Sequence, residues 1–314
     1  MGNTCGCCGA RDKGPEKRPE TGPAALPEDA SGGAEDYGFA LAKNDRKRME
    51  DAVAVNEDVA GYKLFAVFDG HGGDKATRLA QQLLPEQLHQ HLQQAGCKKK
   101  AGTDAFTALD DRLCSMLLEE EKMPMPDTSS GTVVCAALVA RKEILVLNAG
   151  DCRLVASEGG TAAAYTTDHS PEKNDQERKR LETLGVCVDG GYVDGQIQVS
   201  RALGNIGQTG KKVPGIICTP DVSVVSIQDT TEFVLLATDG VWDAIREQLA
   251  VTTARKVLRE TRSPEAAAKA VLEAAGKASK ADNSAVIVLS FNMPEPLPKR
   301  DSEQRRFQFS SKKE

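Results

Sequence analysis

The stretch "TVVCAALVARKEILVLNAGDCRLVAS", residues 132–157, decides the fold. Its three apolar runs, TVVCAALVA, EILVLNAG and RLVAS, are rich in β-branched residues and are parted by short polar breaks. Such runs in close succession predict a meander of antiparallel strands. Outward from it, "KLFAVFDGHGG" (63–73), "TEFVLLATDG" (231–240) and "SAVIVLSF" (284–291) supply further buried strands. Helices are predicted over 74–95, 104–122, 173–184, 243–260 and 264–279. In the first of these, apolar residues recur at steps of three and four, and Pro85 predicts a kink or break. Strands grouped with strands and helices with helices give an α+β class: an antiparallel sheet system with packed helices. A doubly wound parallel sheet would alternate more strictly.

The 314 residues suffice for one large domain or two ordinary ones. Hydrophobic residues make up 40% but aromatics only 4%, so Val, Leu, Ile and Ala must fill the core. A formal charge of -6 argues against a broad nucleic-acid surface. Nine cysteines, three at the N-terminus and six scattered singly with no secretory signal, read as reduced thiols of a cytoplasmic chain. Residues 1–36 and 293–314 lack apolar periodicity and read as disordered tails, the second carrying more basic than acidic groups. A single domain over 37–292 is expected, and as a monomer. Its irregular, glycine-rich segment at about 185–215 is of a length that is usually functional or mobile. The opening "MGNTCGCC" places Gly2 after Met1 and Cys5 close by, as in dually acylated proteins, although Gly6 stands where Ser or Thr is usual. The expectation is association with the cytosolic face of a membrane through myristate on Gly2 and palmitate on Cys5, since one acyl chain alone holds only marginally.

Carboxylates punctuate the strands. Asp69, Asp151 and Asp239 each follow an apolar run, Asp282 precedes one, and Glu50 and Asp51 stand just before "AVAV". One Asp-Gly pair is an ordinary turn. Four acids at strand ends of one sheet system can share a rim, where they repel unless a cation joins them. Oxygen donors without a His or Cys set favour Mg²⁺ or Mn²⁺ over zinc. Beside Asp69, Gly70 lets a backbone carbonyl approach the same cation. His71 follows at a turn, and imidazole can donate a proton near neutral pH.

The motifs RKRMEDA, VFDGHGG, SSGTVV, NAGDCR, DHSP, VSRALGN, ATDGVWD and DNSAVIVL occur in this order from Arg46 to Leu289. In these the chain resembles the type-2C, metal-dependent serine/threonine protein phosphatases. The resemblance implies two packed antiparallel sheets (a β-sandwich) flanked by helices, with a two-metal site at one edge. It implies that Asp69 bridges two Mg²⁺ or Mn²⁺ ions, Gly70 offers its carbonyl and Asp239 and Asp282 hold the first ion. Glu50, with Asp51 beside it, would hold the second; Asp151 and Asp243 would join Asp239 at a third, weaker site. Arg46 would bind substrate phosphate and His71 would act as general acid. A water shared by the two metals would attack phosphoserine or phosphothreonine in a protein directly, without a phosphoenzyme. Segment 185–215 would be the family's flap. Asn205 departs from the family's usual Asp and is expected to change hydrogen bonding in that segment; Ser170 and Cys152 are smaller departures. The competing readings are an inactive, membrane-tethered scaffold, which should have lost a metal acid, and a nuclease, which should show a basic groove.

Overall fold

The computed structural model describes residues 27–94, 96–120 and 130–295. Gly2, Cys5 and residues 296–314, with the expectations attached to them, lie outside the described residues. In chain order the elements are β1 (Asp29–Gly33), β2 (Tyr37–Ala42), β3 (Ala52–Val59), β4 (Tyr62–His71), α1 (Lys75–Gln94), α2 (Lys98–Glu120), β5 (Gly131–Ala140), β6 (Glu143–Ala149), β7 (Arg153–Glu158) and β8 (Thr161–Ala164). They continue with α3 (Asp175–Thr183), β9 (Val188–Asp189), β10 (Tyr192–Val193), β11 (Leu203–Gly204), β12 (Asp221–Ser226), β13 (Thr231–Ala237), α4 (Asp239–Trp242), α5 (Glu247–Thr261), α6 (Pro264–Ala278) and β14 (Ser284–Ser290).

One sheet has the order β1-β2-β14-β13-β7-β8; the other runs β12-β6-β5-β4-β3, with β11 added along β5. Pairings within both are antiparallel. Period-two alternation sorts each strand between two cores. On β4, Phe65 and Val67 enter the core between the sheets, beside Leu154, Leu236 and Ile287. Its Leu64, Ala66 and Phe68 face α1 and α2, meeting Leu84, Phe106 and Leu113. On the far side α5 and α6 cover the other sheet through Val251, Leu258 and Val271. The result is a helix–sheet–sheet–helix sandwich, as the fold class predicts.

Four expectations are corrected. The meander holds only for β5 and β6; β7 leaves that sheet and pairs with β13 in the other. The turn is made at Gly150, whose φ of +128° suits glycine, and where a Cβ would stand 2.2 Å from that of Val133. The N-terminal tail does not extend to residue 36, because Asp29–Gly33 pairs with β2 through backbone bonds. The helix predicted over 243–260 begins only at Glu247, as α5, and is preceded by the separate short α4, and Pro85 sits inside an unbroken α1.

Candidate active site

Strand ends from both sheets meet at one edge. β4 finishes on Asp69, Gly70 and His71, opposite Val133, Thr132 and Gly131 of β5. Asp239 opens α4 just past β13, Asp282 lies just before β14, and Asp151 sits on the crossing from β6 to β7. Carboxylate oxygens of Asp69, Asp151 and Asp239 lie within 4.8 Å of one another. A cleft of about 210 Å³ above them is also lined by Arg46, Glu50, Gly70, His71 and Asp282. Tyr192 and residues 196–199 of the glycine-rich segment form its opposite wall.

The acids are held where charge is costly. Burial, then Asp239, Asp51 and Asp151, push the Asp69 carboxyl well above the usual carboxylate range. Burial and the charges of Asp239 and Asp168 raise Asp151 to about 7. Asp239 is raised too, by burial and by Asp282 and Asp243, although a hydrogen bond with Asp69 opposes the rise. Such a set fits a hard divalent cation, which removes both the repulsion and the desolvation cost. Gly70 fits the same purpose: a Cβ there would meet the Glu50 carbonyl oxygen at 2.5 Å and Thr77 Oγ1 at 2.3 Å, so only glycine allows that approach.

The remaining predicted residues divide. Glu50 lines the cleft, its Oε1 accepting from the Gly73 amide at 2.7 Å. Arg46 reaches in from the rim and donates to Asp282 Oδ2 at 2.5 Å and to the Ala281 carbonyl at 3.0 Å. Asp51 lies beneath the floor, buried, accepting from Thr238 Oγ1 at 2.8 Å. Burial raises its carboxyl well above the ordinary value, with Asp239, Asp282 and Glu50 adding to the rise and the Thr238 bond opposing it. Asp243 stands one turn beyond Asp239, exposed and 3.3 Å from Lys173 Nζ, outside the cleft lining. His71 forms part of the wall; burial lowers its imidazole from 6.5, against a hydrogen bond with Asn205 that favours the charged ring.

Supporting residues escaped the sequence reading although they lie inside the quoted motifs. Thr238 of ATDG holds Asp51 and also accepts from the Ala285 amide at 2.9 Å. Asn283 of DNSA accepts from the Glu50 amide at 2.8 Å and donates to the Lys43 carbonyl at 2.8 Å, tying the Glu50 segment to β14. Short polar residues beside a metal acid are the available signal for such support. Asn205, marked as a departure, contacts His71: its amide nitrogen lies 2.8 Å and its amide oxygen 3.2 Å from Nε2.

Residues 35–284 match the family model described as protein phosphatase 2C. "Probable protein phosphatase 2C 69" of Arabidopsis thaliana is 34% identical over 286 residues, covering 88% of this chain and 75% of the relative. "Probable protein phosphatase 2C 59" of Oryza sativa subsp. japonica is 32% identical over 317 residues, covering 94% and 92%. Among solved structures, a serine-threonine phosphatase 2C from Toxoplasma gondii superposes with TM-score 0.67 at 23% identity, over 85% of this chain and 98% of its own. A sex-determining protein from C. elegans gives TM-score 0.71 at 22% identity, over 83% and 65%. Sandwich, edge cluster and sequence relatives agree, and the chain belongs to the protein phosphatase 2C family.

Proposed function

We propose that the chain hydrolyses phosphoserine and phosphothreonine esters in proteins and depends on Mg²⁺ or Mn²⁺. The observation that carries this reading is the trio Asp69, Asp151 and Asp239, with oxygens within 4.8 Å, in a cleft that also presents Arg46 and His71. Asp69, Asp239 and Asp282, with Glu50 and the Gly70 carbonyl, would hold two cations; Asp151 would hold a third more weakly, and Asp243 would have to part from Lys173 to join it. When bound, the cations supply Lewis acidity and a water acidic enough to attack at neutral pH.

The protein's own groups do the rest. Arg46 presents a planar fork suited to phosphate oxygens, already fixed at the cleft rim by Asp282 and the Ala281 carbonyl. The ester's phosphate adds negative charge beside His71, which favours the protonated ring and offsets the effect of burial. His71 then gives a proton to the departing serine oxygen, a poor leaving group without one. Tyr192 and residues 196–199 wall the cleft on the side away from His71, which leaves about 210 Å³ for the phosphate and the carbon that bears it. Phosphate release from a phosphoserine peptide with Mn²⁺, with excess chelator, and with Asp239→Asn tests the reading. Loss in both altered cases is expected; full turnover in either would overturn it, and no turnover with Mn²⁺ would favour the scaffold.

The motif MGNTCGCC supports tethering of this catalytic domain to the cytosolic face of a membrane, through acyl groups on Gly2 and Cys5. Fractionation of Gly2→Ala against the unaltered chain checks it: the variant should move to the soluble fraction, and equal partition would refute tethering.

A further inference from the structure

Asn205 stands in a backbone conformation that few residues accept. Its φ is +58°, in the left-handed region where Asn is tolerated better than most. Its amide donates to the Ser130 carbonyl at 3.2 Å and its carbonyl accepts from Val213 at 2.8 Å. Its side chain lies against Gly131, where a Cβ would come within 2.3 Å of Oδ1. The preceding Gly204 is clamped as well. Its amide donates to Asp110 Oδ1 at 2.7 Å, and its carbonyl accepts from Lys212 Nζ at 2.8 Å. Lys212 also bonds both Asp110 oxygens, at 2.9 and 2.8 Å, joining the glycine-rich segment to α2. The carboxamide is therefore a fixed group aimed at a ring. Among the described residues His71 has no other side-chain hydrogen bond.

We infer that Asn205 is a positioning residue for His71: its Nδ2–H donates to Nε2 of the neutral ring and so selects the Nδ1–H tautomer, its Oδ1, 3.2 Å away, accepts from Nε2 once the ring is protonated, and Nδ1 is left as the nitrogen that meets the substrate. The shorter of the two contacts, 2.8 Å from nitrogen to nitrogen, is the one a donated hydrogen requires. A carboxylate has no hydrogen to give and can only accept. Aspartate at this position therefore selects the opposite tautomer, with the hydrogen on Nε2. The side chain at 205 decides whether the nitrogen that faces the cleft carries the hydrogen of the neutral ring. The catalytic consequence rests on the phosphatase reading; the tautomer does not.

The test uses the full chain, metal-free, with ¹⁵N-labelled histidine, at pH 8.5 where the ring is neutral. Ring ¹⁵N shifts report the tautomer directly. Nδ1–H is expected for His71 in the unaltered chain, Nε2–H in Asn205→Asp, and a mixture in Asn205→Leu. One tautomer shared by the unaltered chain and Asn205→Asp would overturn the inference. Asp accepts the same left-handed backbone, so that variant carries the test even if Asn205→Leu fails to fold. With Mn²⁺, a folded Asn205→Leu should lose about tenfold or more in kcat on a phosphoserine peptide, the lower end of acid catalysis, with KM within about threefold. On p-nitrophenyl phosphate, whose leaving group needs no proton, kcat should stay within about threefold. Equal losses on the two substrates would show a structural role only. Tautomers as expected without phosphatase activity would leave Asn205 assigned and the proposed function wrong.

Discussion

To hold a cation, Asp69 must ionise where burial and three neighbouring carboxylates oppose it. An amide of the same shape relieves that opposition but offers no anionic oxygen to a cation. Asp69→Asn should therefore lower Mn²⁺-dependent phosphopeptide turnover by about 10³ or more, roughly 4 kcal/mol of barrier. Steady-state rates at saturating metal check this, and turnover within tenfold of the unaltered chain would contradict it. Legibility differs from residue to residue. Asp69, Asp151, Asp239 and Asp282 could be found because each interrupts an apolar run, and a charge at a strand end needs a reason. Asp51 shares the pattern yet lies under the floor, since only three-dimensional packing decides which of two adjacent acids faces a cleft. Asn205 and Thr238 bring no charge, so their sequence signal is faint until their partners are located.

At the scale of elements, Gly150 converts a hairpin into a crossing between sheets. Gly150→Ala meets both an adverse φ and the Val133 side chain, and should destabilise by on the order of 3 kcal/mol. Urea unfolding of Gly150→Ala, of Val133→Gly and of the double variant separates the causes: removing the Val133 Cβ should recover the clash but not the backbone strain. The helix α3 depends on Glu177, which bonds Arg201 at 2.7 Å, Arg180 at 2.9 Å and Ser200 at 2.5 Å. Burial opposes its ionisation, but these partners outweigh burial and hold the carboxyl at about 2. A carboxyl depressed below its ordinary 4.5 stabilises fully above that pH and loses the effect as pH falls toward 2. Glu177→Gln should thus cost about 3 kcal/mol at pH 7, and the gap to the unaltered chain should shrink between pH 4.5 and 2. A gap that stays constant across that window would exclude the linkage. Strands were visible in the sequence as apolar runs, but not their sheets. β4 and β7 bury both faces, so no polar alternation marks which side meets the partner sheet. The strand Asp29–Gly33 was hidden because DASGG carries no apolar run, although its backbone pairs with β2. The start of α2 was missed because Gly102 sits early in it, fitted against Leu147, where a Cβ would be 2.4 Å from Cδ2.

Across the whole molecule, the acids of the cleft come from both sheets, so their repulsion acts on the contact between the layers. A bound cation replaces that repulsion with attraction. If the metal is present at about 100 times its dissociation constant, mass action adds about 2.7 kcal/mol. For a domain of this size that corresponds to roughly 5–10 °C in Tm. Thermal unfolding with Mn²⁺ against chelator should show this rise in the unaltered chain and little of it in Asp69→Asn; no rise in the former would contradict it. The crossing at Gly150, which brings Asp151 of one layer to Asp69 and Asp239, then has a meaning beyond catalysis. With a cation bound there, it would make the folding equilibrium a gauge of cation supply. Where Mg²⁺ or Mn²⁺ is scarce, the protein should be not only idle but shorter-lived, because the seam between its sheets opens more often to proteases.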